Sequence, residues 1–269
     1  MNAPPARLYR RKKPLAVAAV IVTLALVGLA IVMKDEPPAL QLVVDDIRDG
    51  TGGTWGAVFP EGSAKAAGYL KRADSASAED DVQLFSDAMN DGAYGLGGIT
   101  VSVIATTTSR LAIIKNIRPV LVRKDVASGA LFYTGTQGDI PRFIGFQLDA
   151  LNPVAKVWNP KTRKLGDDFF HVQRLAILST GDGETLVLNF QAEEAAYEFT
   201  VAIDYVVEGR RYTQYLLQDG KKKVFRATGP RCNKPGITRP YETLRWTDFE
   251  LSPRAYKPVT AAAFCAGQR

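Results

Sequence analysis

Nineteen consecutive residues, Leu15 to Met33, carry no charge and are nearly all Ala, Val, Leu or Ile. No other feature restricts the fold so strongly, because at about 1.5 Å rise per residue a helix of this length matches the roughly 30 Å hydrocarbon core of a bilayer. Thr23 and Gly28 are weakly apolar, and a helix satisfies their backbone groups in lipid. Arg7, Arg10, Arg11, Lys12 and Lys13 precede the run, whereas Lys34, Asp35 and Glu36 follow it. That asymmetry predicts an N-terminus in the cytoplasm and the rest of the chain outside the cell. Arg10 and Arg11 belong to a longer basic stretch and are read as topology charges, not as a twin-arginine export signal.

A cleavable signal peptide has a shorter apolar centre that ends at a small-x-small site. Gly28-Leu29-Ala30 offers such a site, but Ile31, Val32 and Met33 continue the run beyond it, which favours an uncleaved signal anchor. Ala19 and Thr23 give only a weak small-xxx-small pattern and are read as lipid-facing. The expected organisation is a basic cytoplasmic tail at 1–13, a transmembrane helix at 14–33, a stalk at 34–39 and an extracytoplasmic domain at 40–269.

The net charge of +6 would suggest a nucleic-acid partner in a soluble protein. Taking away the five cations of residues 1–13 leaves +1, so the exported portion is nearly neutral and no nucleic-acid partner is expected. Cys232 and Cys265 both lie in that portion, where a disulfide persists. No Asn-x-Ser/Thr acceptor is present.

The exported part reads as β almost throughout. Leu40 to Ile47 and Thr54 to Phe59 suggest the first strands, separated by the turn cluster Asp49-Gly50-Thr51-Gly52-Gly53. Ser77 to Asn90 is the one helix expected, with Ser77 as N-cap and Glu79, Asp80 and Asp81 in its first turn. The glycines of residues 92–98 precede a strand rather than a helix, so they read as a flexible connector and not as a phosphate loop. Thr100 to Thr107, Arg110 to Arg123, Leu131 to Tyr133 and Phe143 to Leu148 follow as strands, and Phe169 to Leu178 with Thr185 to Ala192 reads as a hairpin.

In residues 197–207, Tyr197, Phe199, Val201, Ile203, Tyr205 and Val207 alternate with Glu198, Thr200, Ala202, Asp204 and Val206. This period of two predicts a strand with one core face and one wet face. Turns at Glu208-Gly209 and Asp219-Gly220 predict three successive antiparallel strands. The fold class expected is mainly β, an antiparallel β-sandwich with one short helix.

The runs "LAIIKNIRPVLVRK", "GALFY…GFQLD…NPVA" and "YEFTVAIDYVVEGRRYTQYLLQDGKKKVFRAT" resemble a group of single-pass membrane proteins of high-GC Gram-positive bacteria. The resemblance implies a membrane-anchored β-rich ectodomain and brings no catalytic residue.

His171, the single histidine, follows Asp167 by four residues, a spacing that would put both on one face of a strand. No G-x-S-x-G accompanies them, so a strand-edge role is expected instead. Asp45, Asp46 and Asp49, or Asp182 with Glu184, offer oxygen ligands but lack EF-hand spacing, and no metal or cofactor is expected. Residues 208–245 hold ten cations against three acids. Arg210 and Arg211 occupy one predicted turn and Lys221, Lys222 and Lys223 the next, so a meander would project them from opposite ends of the sheet.

Such a basic surface suits anionic headgroups, an anionic wall polymer or an envelope protein. The function expected is a membrane-anchored binding or interaction module, with a surface hydrolase and a structural spacer as competing classes.

Overall fold

The computed structural model describes residues 40–49, 54–73, 81–109, 111–135, 144–159, 162, 164–179, 183–230, 232, 241, 243–247 and 257–267. The expected tail, anchor and stalk lie outside the described residues, as do Ser77, Glu79 and Asp80. Among the described residues no helix is long and apolar enough to cross a membrane.

The first eight strands are β1 (Leu40–Asp49), β2 (Thr54–Val58), β3 (Tyr94–Leu96), β4 (Gly98–Thr107), β5 (Leu111–Lys124), β6 (Ala130–Gly135), β7 (Ile144–Gln147) and β8 (Lys156–Asn159). The other eight are β9 (Lys164–Asp168), β10 (Leu175–Leu178), β11 (Glu184–Gln191), β12 (Ala196–Val207), β13 (Arg210–Leu216), β14 (Phe225–Thr228), β15 (Thr243–Thr247) and β16 (Lys257–Pro258). Four helices stand among the described residues where one was expected: α1 (Ala66–Ala73), α2 (Asp81–Asn90), α3 (Phe169–Val172) and α4 (Ala261–Gly267).

The domain is mainly β and has two sheets. The first runs β1-β4-β11-β7-β8-β9, and the second β10-β5-β12-β14-β3-β2-β6-β15-β16 with β13 also beside β12. Most pairs are antiparallel, but β11 with β7, β14 with β3 and β15 with β6 are parallel, so the all-antiparallel expectation is corrected. Parallel neighbours need long crossovers, which local turn signals do not report.

Residues 197–207 form a strand with the expected core face: Tyr197, Phe199, Val201, Ile203, Tyr205 and Val207 are all buried. β5 pairs with the whole of β12 on one side. Glu208 and Gly209 both take positive φ, 49° and 79°, which matches the twist of a two-residue hairpin into β13. β14 then pairs with the first residues of β12 rather than with β13, so β13 and β14 lie end to end along one edge of β12. The meander is therefore corrected: the chain leaves that edge after Leu216 and returns at Phe225.

Two other expectations change. β10 pairs with β5 and β11 with β4, so the supposed hairpin joins different sheets. Its first half is not strand, because Phe169 is buried at the start of α3, where its N–H donates to the Ala155 carbonyl at 2.7 Å. The glycine run is no loose connector either: Tyr94, Gly95 and Leu96 are a buried strand. Gly98 has φ +138°, and a Cβ there would lie 2.1 Å from the Phe190 carbonyl oxygen. Glycine thus lets the chain cross from one sheet to the other at close approach.

The main core lies between the sheets. Phe190 of the first sheet meets Phe199 of the second at 4.8 Å between ring centroids, with Phe146 stacked on Phe190 and Phe225 beside Phe199. A second apolar cluster sits on the opposite face of the second sheet, where Val58, Tyr94, Leu96, Leu131 and Ala196 pack with Tyr241 and Phe264. Phe264 belongs to α4, and Cys265 next to it is bonded to Cys232 with 5.2 Å between Cα atoms. The expected disulfide thus fastens a late helix over half of one sheet face.

Candidate interaction surface

The outward side chains of β12 are Glu198, Thr200, Ala202, Asp204 and Val206, the wet set of the two-residue period. Across β5 they face Val122, Val120, Arg118 and Asn116 in order from Glu198 to Asp204. On the other side Arg226 faces Glu198, Tyr215 faces Ala202 and Thr213 faces Asp204. None of these rows lies within the cluster under α4.

Two acids organise the surface. Glu198 accepts hydrogen bonds from Arg226 Nε at 3.1 Å and the Tyr94 hydroxyl at 3.2 Å, and its other oxygen lies 3.5 Å from Lys124 Nζ. Burial alone would raise its pKa, but the Arg226 hydrogen bond and the charges of Arg226 and Lys124 outweigh it and hold the carboxyl below its ordinary value. Burial, with Glu198 nearby, pushes the Tyr94 hydroxyl up. Asp204 accepts from Arg118 at 2.9 Å, Asn116 at 3.3 Å and Thr213 at 2.7 Å. Each acid is thereby matched by cations and donors and offers no unpaired charge.

Between these clusters the face is apolar and open. Val120 is 45 % exposed, Val122 55 % and Tyr215 57 %. Ala202 between Arg118 and Tyr215 is fully buried. Beyond Ile114, the far edge of β5 has no strand beside it among the described residues, which is where Pro119, lacking an N–H, is tolerated. Lys115, Arg118, Arg123 and Lys124 charge that edge and discourage pairing with another strand.

The basic residues singled out from sequence do not form one patch. Arg210 and Arg211 are exposed beside the β12–β13 hairpin turn. Lys221, Lys222 and Lys223 lie in the excursion between β13 and β14, opposite the middle of β12, so they do not project from the far end of the sheet. Six residues of β12 separate the two sites, about 20 Å along the strand. Asp219 accepts the backbone N–H groups of all three lysines within 3.0 Å. Those hydrogen bonds, Lys223 first, hold its carboxyl down at about 2. Lys223 Nζ in turn donates to the Asn90 carbonyl at the C-terminus of α2, where a cation is favoured. This loop is a docking device for α2 as much as a basic tip.

His171 does not meet Asp167. Its Nδ1 lies 3.7 Å from Asp168 Oδ2, and its side chain is 82 % exposed. The short α3 replaces the continuous strand that the four-residue spacing assumed. Asp46 pairs with Arg48, whereas Asp182 of the suggested oxygen clusters lies outside the described residues. Among the described residues no group of three His, Cys, Asp or Glu side chains is placed to hold a metal ion.

Asp149 is a polar residue that the sequence did not mark. It accepts from the Glu193 and Glu194 N–H groups at 2.7 and 3.0 Å and from the Tyr197 hydroxyl at 2.7 Å. It pins the turn before β12, and burial together with this hydrogen bond raises the Tyr197 pKa. Val120 and Val122 were also missed as surface residues, because apolar residues on both alternating sets of a strand read as buried on both sides. The one available signal was Pro119, which excludes a central position for the outer edge of β5.

No protein-family model, no curated protein and no solved structure matches this chain.

Proposed function

We propose that the chain is a single-pass membrane protein, N-terminus inside, that displays a β-sandwich ectodomain outside the cell and binds a second envelope protein through the open half of its outer sheet face. The membrane reading is supported by the apolar run Leu15–Met33 and its basic flank, by the likeness to single-pass proteins of high-GC Gram-positive bacteria, and by a disulfide suited to an oxidising exterior. The observation that carries the binding reading is the exposed Val120, Val122 and Tyr215 centre flanked by two internally neutralised acid clusters. An apolar and tyrosine centre with an arginine rim is the composition that protein interfaces favour. Neutralised clusters favour a protein partner over an anionic polymer, which would need unpaired cations.

A photo-crosslinking side chain placed at Val122 of the full chain in intact cells should give a discrete protein adduct, and Tyr215→Ala should remove it. The same group at Leu151, which is 95 % exposed on another part of the domain, should give none. Identical adducts from both positions would overturn the proposal.

A further inference from the structure

Strand β1 begins at Leu40, and several strand ends meet there. Leu40 pairs with Thr107 at the end of β4, and β5 starts at Leu111 a few residues later. Leu111 pairs with Leu178, the last residue of β10, while Val207 pairs with both Ala112 and Arg210. The Leu40 N–H also bonds to the Tyr205 hydroxyl, tying the two sheets together at this end. Val43, Leu111, Leu178 and Tyr212 are all exposed here or within a few residues of it, beside exposed Arg210 and Arg211. A single exposed leucine needs no explanation, but a group gathered at the point of chain entry does.

We propose that this end rests on the phosphate headgroups of the bilayer that anchors the chain, a proposal that depends on the anchoring reading above. Only residues 34–39 separate the apolar run from Leu40, and six residues reach about 20 Å at most. The headgroup layer itself extends roughly 5–8 Å beyond the hydrocarbon. Whatever end carries Leu40 is therefore held near that layer. The guanidinium groups of Arg210 and Arg211 suit phosphate oxygens, and Tyr212, Leu111 and Leu178 suit the boundary between headgroups and acyl chains. Glu208 and Glu184 at the same end offset the two arginines, so contact does not depend on net charge and extends to zwitterionic lipid. Lys221, Lys222 and Lys223 take no part.

Because Cys232 and Cys265 are bonded to each other, a cysteine introduced at exposed Ser179 is the only free thiol and takes a nitroxide label. A second protein carries the label at Leu151, in the turn after β7 at the opposite end of the sheets. Both full-length chains are reconstituted into phosphatidylcholine vesicles, and collision with a water-soluble nickel chelate is read by power saturation. The proposal expects collision to be lost at 179 and kept at 151. Arg210→Glu with Arg211→Glu, or separately Leu178→Ser, should restore collision at 179. Equal collision at both positions, in chains that stay with the vesicles through an alkaline carbonate wash, overturns the headgroup contact and leaves the anchor standing. Release of the chain by that wash overturns the anchor, and the contact with it.

Discussion

The outer face of the second sheet is divided into two halves with opposite fates. Under α4, Val58, Tyr94, Leu96 and Leu131 are buried by Tyr241, Phe264 and the Cys232–Cys265 bond. On β5 and β13 the equivalent positions are occupied by Val120, Val122 and Tyr215, which are exposed. Both halves carry apolar side chains on the same pleat, so the alternation of the strands does not distinguish them. What distinguishes them is a cover supplied by residues more than a hundred positions away in the chain. One half is covered by the fold, and the other stays open.

The sharpest way to break this contrast is to release the cover. Replacing Cys232 and Cys265 together with serine removes a crosslink of 33 residues, which the chain-entropy model values at about 4 kcal/mol. Hydrogen exchange should then accelerate in β2, β3 and β6 while β5 and β13 keep their rates. Next in size, Leu131→Ala on the covered half should destabilise by about 3 kcal/mol in denaturant melts, as a fully buried leucine does.

A smaller effect is expected at the border between the halves, where Glu198 joins Tyr94 to Arg226 and Lys124. Its folded pKa lies below the ordinary 4.5, so its contribution is fully present above that value and is lost as pH falls through the folded pKa. Glu198→Gln should lower stability at pH 7 by about 1 kcal/mol and flatten the acid side of a melting-temperature profile. Smallest of all, Val122→Ala and Tyr215→Ala on the open half should each change stability by within about 0.5 kcal/mol, measured in the same melts. A larger loss at either position would mean that the open half is covered too.

Much of the architecture was legible in the order of residues. The period of two in 197–207 identified β12 and its inward aromatic row, and Glu208-Gly209 identified the turn that follows. The cystine was legible because two cysteines have only one possible pairing. Long-range partnership was not. Nothing near Leu175 or Glu184 reports that β10 and β11 belong to different sheets, since a polar turn between apolar runs serves a hairpin and a sheet-to-sheet crossing equally well. The glycines at 95 and 98 signalled looseness by composition, whereas their use is steric: side chains there would strike Ile99 and the Phe190 carbonyl.

The surface was legible only in part. Lys221 to Lys223 are conspicuous as a charge run, yet Asp219 and Asn90 fix that loop onto α2. Asp167 and His171 share a spacing that only a continuous strand would make meaningful, and α3 interrupts it. Glu198 and Asp204 stood out as wet-face residues of β12, but their cations come from β5 and β14, distant in sequence.

Hydroxyl-radical footprinting of the full chain tests the division of this sheet face most directly. Tyr215, Val120 and Val122 should be oxidised readily while Tyr94, Leu96 and Leu131 stay protected, and reduction of the disulfide should raise oxidation in the second group alone. Equal oxidation of both groups before reduction, or no change in the second group after it, would contradict the account.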